Sequence, residues 1–312
     1  MKWLDTTAWT HARAAWAMVL VALLWSTAGV VTRQLSHAQG FEVTFWRSFF
    51  TVLSLLAILP AWQGPGVFAR MPWRRRAFWL SGLCWSVMFT AFMVALTMTG
   101  VARVLVTMSV APLLTALISR VVTGRRLPAR TWAAIVAAGA GMAWMFAGQL
   151  NGSGGTVGAR EWLGSLVALG VPLAAAVQWT VAQRSQAQGE PLDLVPAVLV
   201  GALISSAVTL PLAWPFQAAG RDLAWLGFLG LAQLAIPCVL AMLCAQALPA
   251  PEVALLALLE VVFGIALVWL IAGETPRPEV LAGGSLVIGA LLGNELLGWR
   301  TRQRAAGGIT PA

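Results

Sequence analysis

The sequence contains no tyrosine, two histidines and three cysteines, and only 10% of its 312 residues are charged. A soluble protein carries about 25% charged residues, so the shortage excludes a water-facing globule and marks a polytopic membrane protein. Both histidines, His11 and His37, lie outside the long apolar runs, and there is no HExxH, GxSxG or Walker sequence. That removes the usual metal, serine-hydrolase and nucleotide chemistries, so neither a catalytic residue nor a cofactor is expected. Without an ATP-binding motif, any pumping has to draw on substrate or ion gradients. Cys84, Cys238 and Cys244 sit in apolar runs without metal-ligand spacing, and read as small core side chains rather than ligands or disulfides. With tyrosine absent, seventeen tryptophans must supply the interfacial belts. Trp3, Trp9, Trp62, Trp73 and Trp299 lie near segment ends, whereas Trp25, Trp85, Trp144 and Trp179 lie deep enough to wall a pocket.

What is present is apolar length. Hydrophobic residues make up 59% of the chain, and the mean hydropathy is +0.81. Ten apolar segments can be laid out, at about 14–32, 43–62, 77–97, 104–122, 131–149, 162–182, 194–214, 223–245, 253–272 and 280–298. Each is long enough to cross a hydrocarbon layer of about 30 Å as a helix. No ten-residue alternation suggests a barrel, so the fold class is all-α integral membrane. The first segment lacks a clear small-residue cleavage site and reads as a span rather than a signal peptide. A net charge of +9 does not imply nucleic acid, because the arginines fall in short loops and no soluble basic module exists. With the N-terminus inside, fourteen Lys and Arg residues face the cytoplasm and five the other side, leaving Arg47 within a span. Both termini are therefore expected in the cytoplasm.

The chain also repeats itself. QLSHAQG (Gln34–Gly40) and QRSQAQG (Gln183–Gly189) agree at five of seven positions, at an offset of 183 − 34 = 149. The same offset brings Gly124 onto Gly273 and the fourth segment onto the ninth. The glycine-rich stretch Gly148–Gly158 reads as a linker between halves at 14–148 and 162–297. Five spans per half is an odd number, so the second half would enter the membrane from the opposite side. Two inverted five-helix repeats are the layout of alternating-access carriers, with a site near the midplane.

Candidate site residues follow from polarity at membrane depth. Glu260 is the one charge between Glu252 and Glu274. An acid at such depth costs about 2.5–3.5 kcal/mol on insertion scales and is functional by default. It either holds a cationic group of a substrate or takes up a proton, which leaves proton coupling open. Arg47 could bond backbone carbonyls or meet a substrate carboxylate. Trp25, Ser26, Trp85, Thr107, Gln178 and Gln233 are further candidates to line a cavity, along with Thr27, Thr90 and Trp179. Pro112, Pro172, Pro196 and Pro237 fall inside expected spans and should kink or break them, which makes Pro112, Pro172 and Pro237 candidate hinges. Glu252 and Arg103 read as boundary charges, and Glu295 as an interfacial partner of Arg300 or Arg302. Gly289 and Gly293 form a GxxxG for close helix packing, inside the fold or at a dimer face, so a monomer and a homodimer both remain open.

LLWSTAGVVTR (Leu23–Arg33), the in-span Arg47, Ala111-Pro112 with Gly124, LLEVVFG (Leu258–Gly264) with Gly273-Glu274, and LAGGSLVIGALL (Leu281–Leu292) together resemble the EamA family of the drug/metabolite transporter superfamily. Two departures stand out. Val261 replaces the family's usual proline after the glutamate, and Arg125 replaces the acid of the first-half Gly-Glu. The resemblance implies a ten-helix secondary carrier of the bacterial inner membrane, embedded in the lipid bilayer and working on a small-molecule substrate. Family members move amino acids, other metabolites, vitamins and drugs. With the deep tryptophans, efflux of amino acids or related metabolites is the favoured reading, ahead of a non-transporting scaffold or a lipid-modifying enzyme.

Overall fold

The computed structural model describes residues 9–32, 34–38, 40–99, 101–124, 127–151, 159–187, 192–272 and 277–307, and no strand occurs among them. Arg33, Arg125, Gly273, Glu274 and the centre of the expected linker, 152–158, lie outside the described residues. The helices are α1 (His11–Thr32), α2 (Phe41–Gln63), the short α3 (Val67–Arg70), α4 (Arg76–Met98), α5 (Val101–Met108), α6 (Ala111–Thr123), α7 (Ala129–Asn151), α8 (Ala159–Ala187), α9 (Ala197–Ala213) and α10 (Gly220–Phe228). A π-helical segment (Leu229–Ala235) leads into α11 (Ile236–Ala247), followed by α12 (Ala250–Ala257), α13 (Leu259–Ala272) and α14 (Pro278–Gly307). Helix occupies each of the ten expected segments. Among the described residues, eight helical stretches of 21–28 residues are long and apolar enough to cross a membrane. The seventh segment is shorter, because Pro196 caps the start of α9 instead of lying inside it, leaving 17 residues.

The prolines act unequally. Pro112 cannot donate a backbone hydrogen bond and crowds the carbonyl four residues earlier, and the helix breaks at Ser109-Val110. Pro237 has the same effect through a π segment that ends two residues before it. Pro172, in contrast, sits within an uninterrupted 29-residue α8. A further break occurs at Leu258, between α12 and α13, with no proline beside it. There Val261 N–H bonds the Leu258 carbonyl at 3.2 Å, a three-residue step in place of the α-helical four.

Two bundles face each other. In one, α8 packs on α4, α5 and α6; in the other, α1 packs on the π segment, α11, α12 and α13. Between them α2 and α9 pack together, α2 also touching the π segment and α10, and α9 touching α4. Without a hydrophobic drive between helices in lipid, such contacts depend on close approach and polar staples. A Cβ on Gly201 would lie 2.4 Å from the Trp85 Cβ, and one on Gly230 would lie 2.5 Å from the Phe50 Cβ. Ser205 Oγ meets Ser48 Oγ at 3.0 Å and Thr90 Oγ1 at 2.9 Å, stapling α9 to α2 and α4. α7 and α14 pack mainly on each other, pinned by Thr131 Oγ1 donating to Asn294 Oδ1 at 3.0 Å, with α7 also touching α5. Their close approach is made by Gly141 against Gly283, not by the expected Gly289 and Gly293, which face open space.

Two buried carboxylates tie connections together at one end. Asp222 accepts the backbone N–H groups of Ser36, His37 and Ala38 at 2.9–3.0 Å. Glu42 accepts those of Gln217 and Ala218 at 2.9 and 2.8 Å, and the Trp46 indole N–H at 3.3 Å. The α1–α2 connection is thereby fixed to α10, and the α9–α10 connection to α2.

Candidate functional site

A cavity of about 130 Å³ lies between the bundles, several times the roughly 10–15 Å³ that one water needs. Its wall is mostly apolar, and the interruptions at Ser109-Val110 and Leu258, together with the π segment, all border it. Broken helices at membrane depth occur where backbone lines a cavity.

Of the residues singled out from sequence, the cavity brings together Glu260, Arg47, Trp25, Trp85, Gln233 and Pro172. Glu260 enters from the first turn of α13, just past the break at Leu258. Arg47 enters from α2 and is 3% exposed; one of its terminal nitrogens donates to the Phe89 carbonyl at 3.2 Å. Both charged groups line the same cavity. No hydrogen bond or ion pair fixes the Glu260 carboxylate among the described residues. Three buried polar atoms of lining residues, Arg47 Nε, Trp85 Nε1 and Gln233 Oε1, are also without partners among the described residues. Leaving such a group unmade costs about 1–3 kcal/mol, so these three atoms call for polar partners from water or from a bound ligand.

The aromatic wall is built by Trp25, Trp85, Phe89, Phe92 and Trp179. Trp85 and Trp179 meet edge to face, 5.8 Å between centroids and 87° between planes. Ala111, 149 residues before Glu260, lines the same cavity. Each charge thus belongs to one half only: the counterpart of Glu260 is Ala111, and that of Arg47 is Pro196.

Other expected residues lie elsewhere. Ser26 and Thr107 bond carbonyls of their own helices, Leu23 O at 2.6 Å and Arg103 O at 2.8 Å. Gln178 is fully buried and donates to Met242 Sδ at 3.0 Å, joining α8 to α11. Pro112 and Pro237 do not line the cavity, although their sequence neighbours Ala111 and Cys238 do. Cys238, Met88, Phe89, Phe92 and Met108 were not legible as site residues, since apolar side chains on membrane helices give no sign of which face turns inward.

Two boundary charges have partners that sequence did not supply. Arg103 is ion-paired with Glu161. Glu252 meets His11 Nε2 at 2.9 Å, and with Glu295 these donor atoms all lie within 4.8 Å of one another, a set that could hold a divalent cation. This cluster lies outside the cavity lining.

The profile of the EamA-like transporter family matches residues 12–147 and 162–294. A solved structure described as "Crystal structure of protein" superposes with a TM-score of 0.77, covering 93% of this chain and 99% of its own at 18% identity. That likeness establishes a shared fold. No curated protein matches the sequence.

Proposed function

This chain belongs to the EamA-like transporter family, part of the drug/metabolite transporter superfamily, and from that premise we propose that it is a secondary carrier of amphipathic zwitterions, amino acids or close relatives. Membership makes it a membrane transporter and fits the expectation that it is not an enzyme. The carrying observation is that Arg47 and Glu260 share one tryptophan-walled cavity. A guanidinium takes a carboxylate through paired N–H donors, the Glu260 carboxylate takes an ammonium, and the tryptophans cover an apolar side chain. Neither charge alone selects this class; an acid would leave Glu260 uncompensated and an amine would leave Arg47 so.

Transport is by alternating access between two inverted five-helix halves, 14–148 and 162–297. Exchange of the halves preserves the packing, which supports the repeat: α4 on α8 becomes the π segment and α11 on α1, and α5 and α6 on α8 become α12 and α13 on α1. The break at Ser109 recurs at Leu258, 258 − 109 = 149 residues later. The arginine-rich loops put both termini on the cytoplasmic side.

Counterflow of radiolabelled amino acids in proteoliposomes tests this reading. The wild-type protein should exchange at least one large apolar amino acid, and Glu260→Gln should lower the rate about tenfold or more, the worth of one charge-assisted contact. Wild-type rates in the Gln variant would remove Glu260 from the site, and no exchange of any amino acid would remove the substrate class.

A further inference from the structure

Among the described residues, the extensive helix packing between the two bundles lies at one end. α6 and α8 pack on α12, and α8 packs on α11. All of these segments except α8, which runs the full span, lie on the Gln183 side of the breaks. Among the described residues no comparable packing joins the segments that repeat symmetry makes their counterparts, α5 to α13, α1 to α5 or α1 to α4. The Asp222 carboxylate at that other end ties α1 to α10 within a single bundle, so it does not bridge the two.

One amide organises the closed end. Gln183 Oε1 on α8 accepts the Ser119 hydroxyl of α6 at 3.0 Å and the backbone N–H of Ala250 at 3.3 Å. Ala250 opens α12, and the first N–H groups of a helix have no partner within it. Gln183 therefore satisfies an orphan donor across the bundle boundary. It is also the first residue of the second repeated motif. The first residue of the other motif, Gln34, is exposed, and its side chain has no hydrogen-bond partner among the described residues. By the same offset of 149, the counterpart of Ala250 is Val101, which opens α5.

We propose that the duplicated motif supplies two exchangeable latches. Gln183 holds the cytoplasmic end shut in the conformation described here. Gln34 accepts the Val101 N–H, and shuts the opposite end, when α5 and α13 close and α12 leaves α8. The latches rest on the inverted-repeat carrier reading above and extend it to named gating residues.

The test places a cysteine in the cavity, Ala111→Cys, in a Cys238→Ala background, because Cys238 lines the same cavity, while Cys84 and Cys244 are buried outside its lining. A membrane-impermeant maleimide is applied to right-side-out and inside-out vesicles, and the ratio of outside to inside labelling is read. Gln183→Ala should lower that ratio and Gln34→Ala should raise it, each about threefold, the factor of one average interhelical hydrogen bond in a membrane protein. Gln183→Glu keeps the acceptor oxygen and should leave the ratio unchanged. The Gln34 side chain has no hydrogen-bond partner among the described residues in this conformation, so the sign of its effect stands even if Gln183→Ala does not fold. Labelling from both sides with a ratio that neither variant moves, or that both move the same way, overturns the latches and leaves the carrier intact. Labelling from one side only in every variant, or from neither, overturns both.

Discussion

Glu260 and Arg47 illustrate what a single residue can disclose. Their depth in apolar helices marks them from sequence alone, because a charge there is costly and is kept for a reason. That they share a cavity is a matter of how α2 and α13 pack, and no local pattern encodes it. Glu42 is the converse case: it reads as an ordinary residue in the first turn of α2, yet is buried and gathers three donors. Glu42→Ala leaves two backbone N–H groups without their acceptor and should cost about 1.5–3 kcal/mol. Thermal unfolding in detergent reads this, and an unchanged melting temperature would mean that water replaces the carboxylate at no cost.

The interruptions are properties of elements. The break at Ser109-Val110 was legible as a candidate because Pro112 removes a helix hydrogen bond and crowds the preceding turn. The break at Leu258 was not, since Leu258, Leu259 and Val261 are all good membrane-helix residues. It coincides with a change of neighbours: α12 sits against α6 and α8 as well as α1, while α13 keeps mainly to α1. Restoring the family's proline there, Val261→Pro, removes only the three-residue hydrogen bond to Leu258, and should cost no more than about 1 kcal/mol. Ala266→Pro, in the middle of α13, should cost about 3 kcal/mol or more. Equal losses for the two, measured by unfolding, would show that the helix is continuous in solution. The glycine contacts behave likewise. Gly201→Ala drives a methyl into Trp85 and should cost about 1–3 kcal/mol by overpacking, whereas Gly289→Ala meets nothing within 4 Å and should be neutral in the monomer.

For the whole molecule, the all-helical membrane class and the positions of the helical segments followed from charge and hydropathy. The repeat followed from seven residues and an offset. The arrangement of helices into two facing bundles did not, since lipid-facing and bundle-facing residues are equally apolar. Ser26, Thr107 and Gln178 were drawn to other carbonyl or sulfur partners for the same reason: polarity at depth shows that a residue needs a partner, not which partner it takes. The claim that unites these scales is that one cavity, between one acid and one base, selects a zwitterion. The most direct measurement is calorimetric titration of the purified protein with an apolar amino acid, its amide, and the same molecule lacking the amine. The zwitterion should bind at least about tenfold more tightly than either analogue. Glu260→Gln should narrow only the gap to the deaminated acid, and Arg47→Gln only the gap to the amide. Equal affinity for all three ligands, or the same ranking and gaps in both variants, would contradict it.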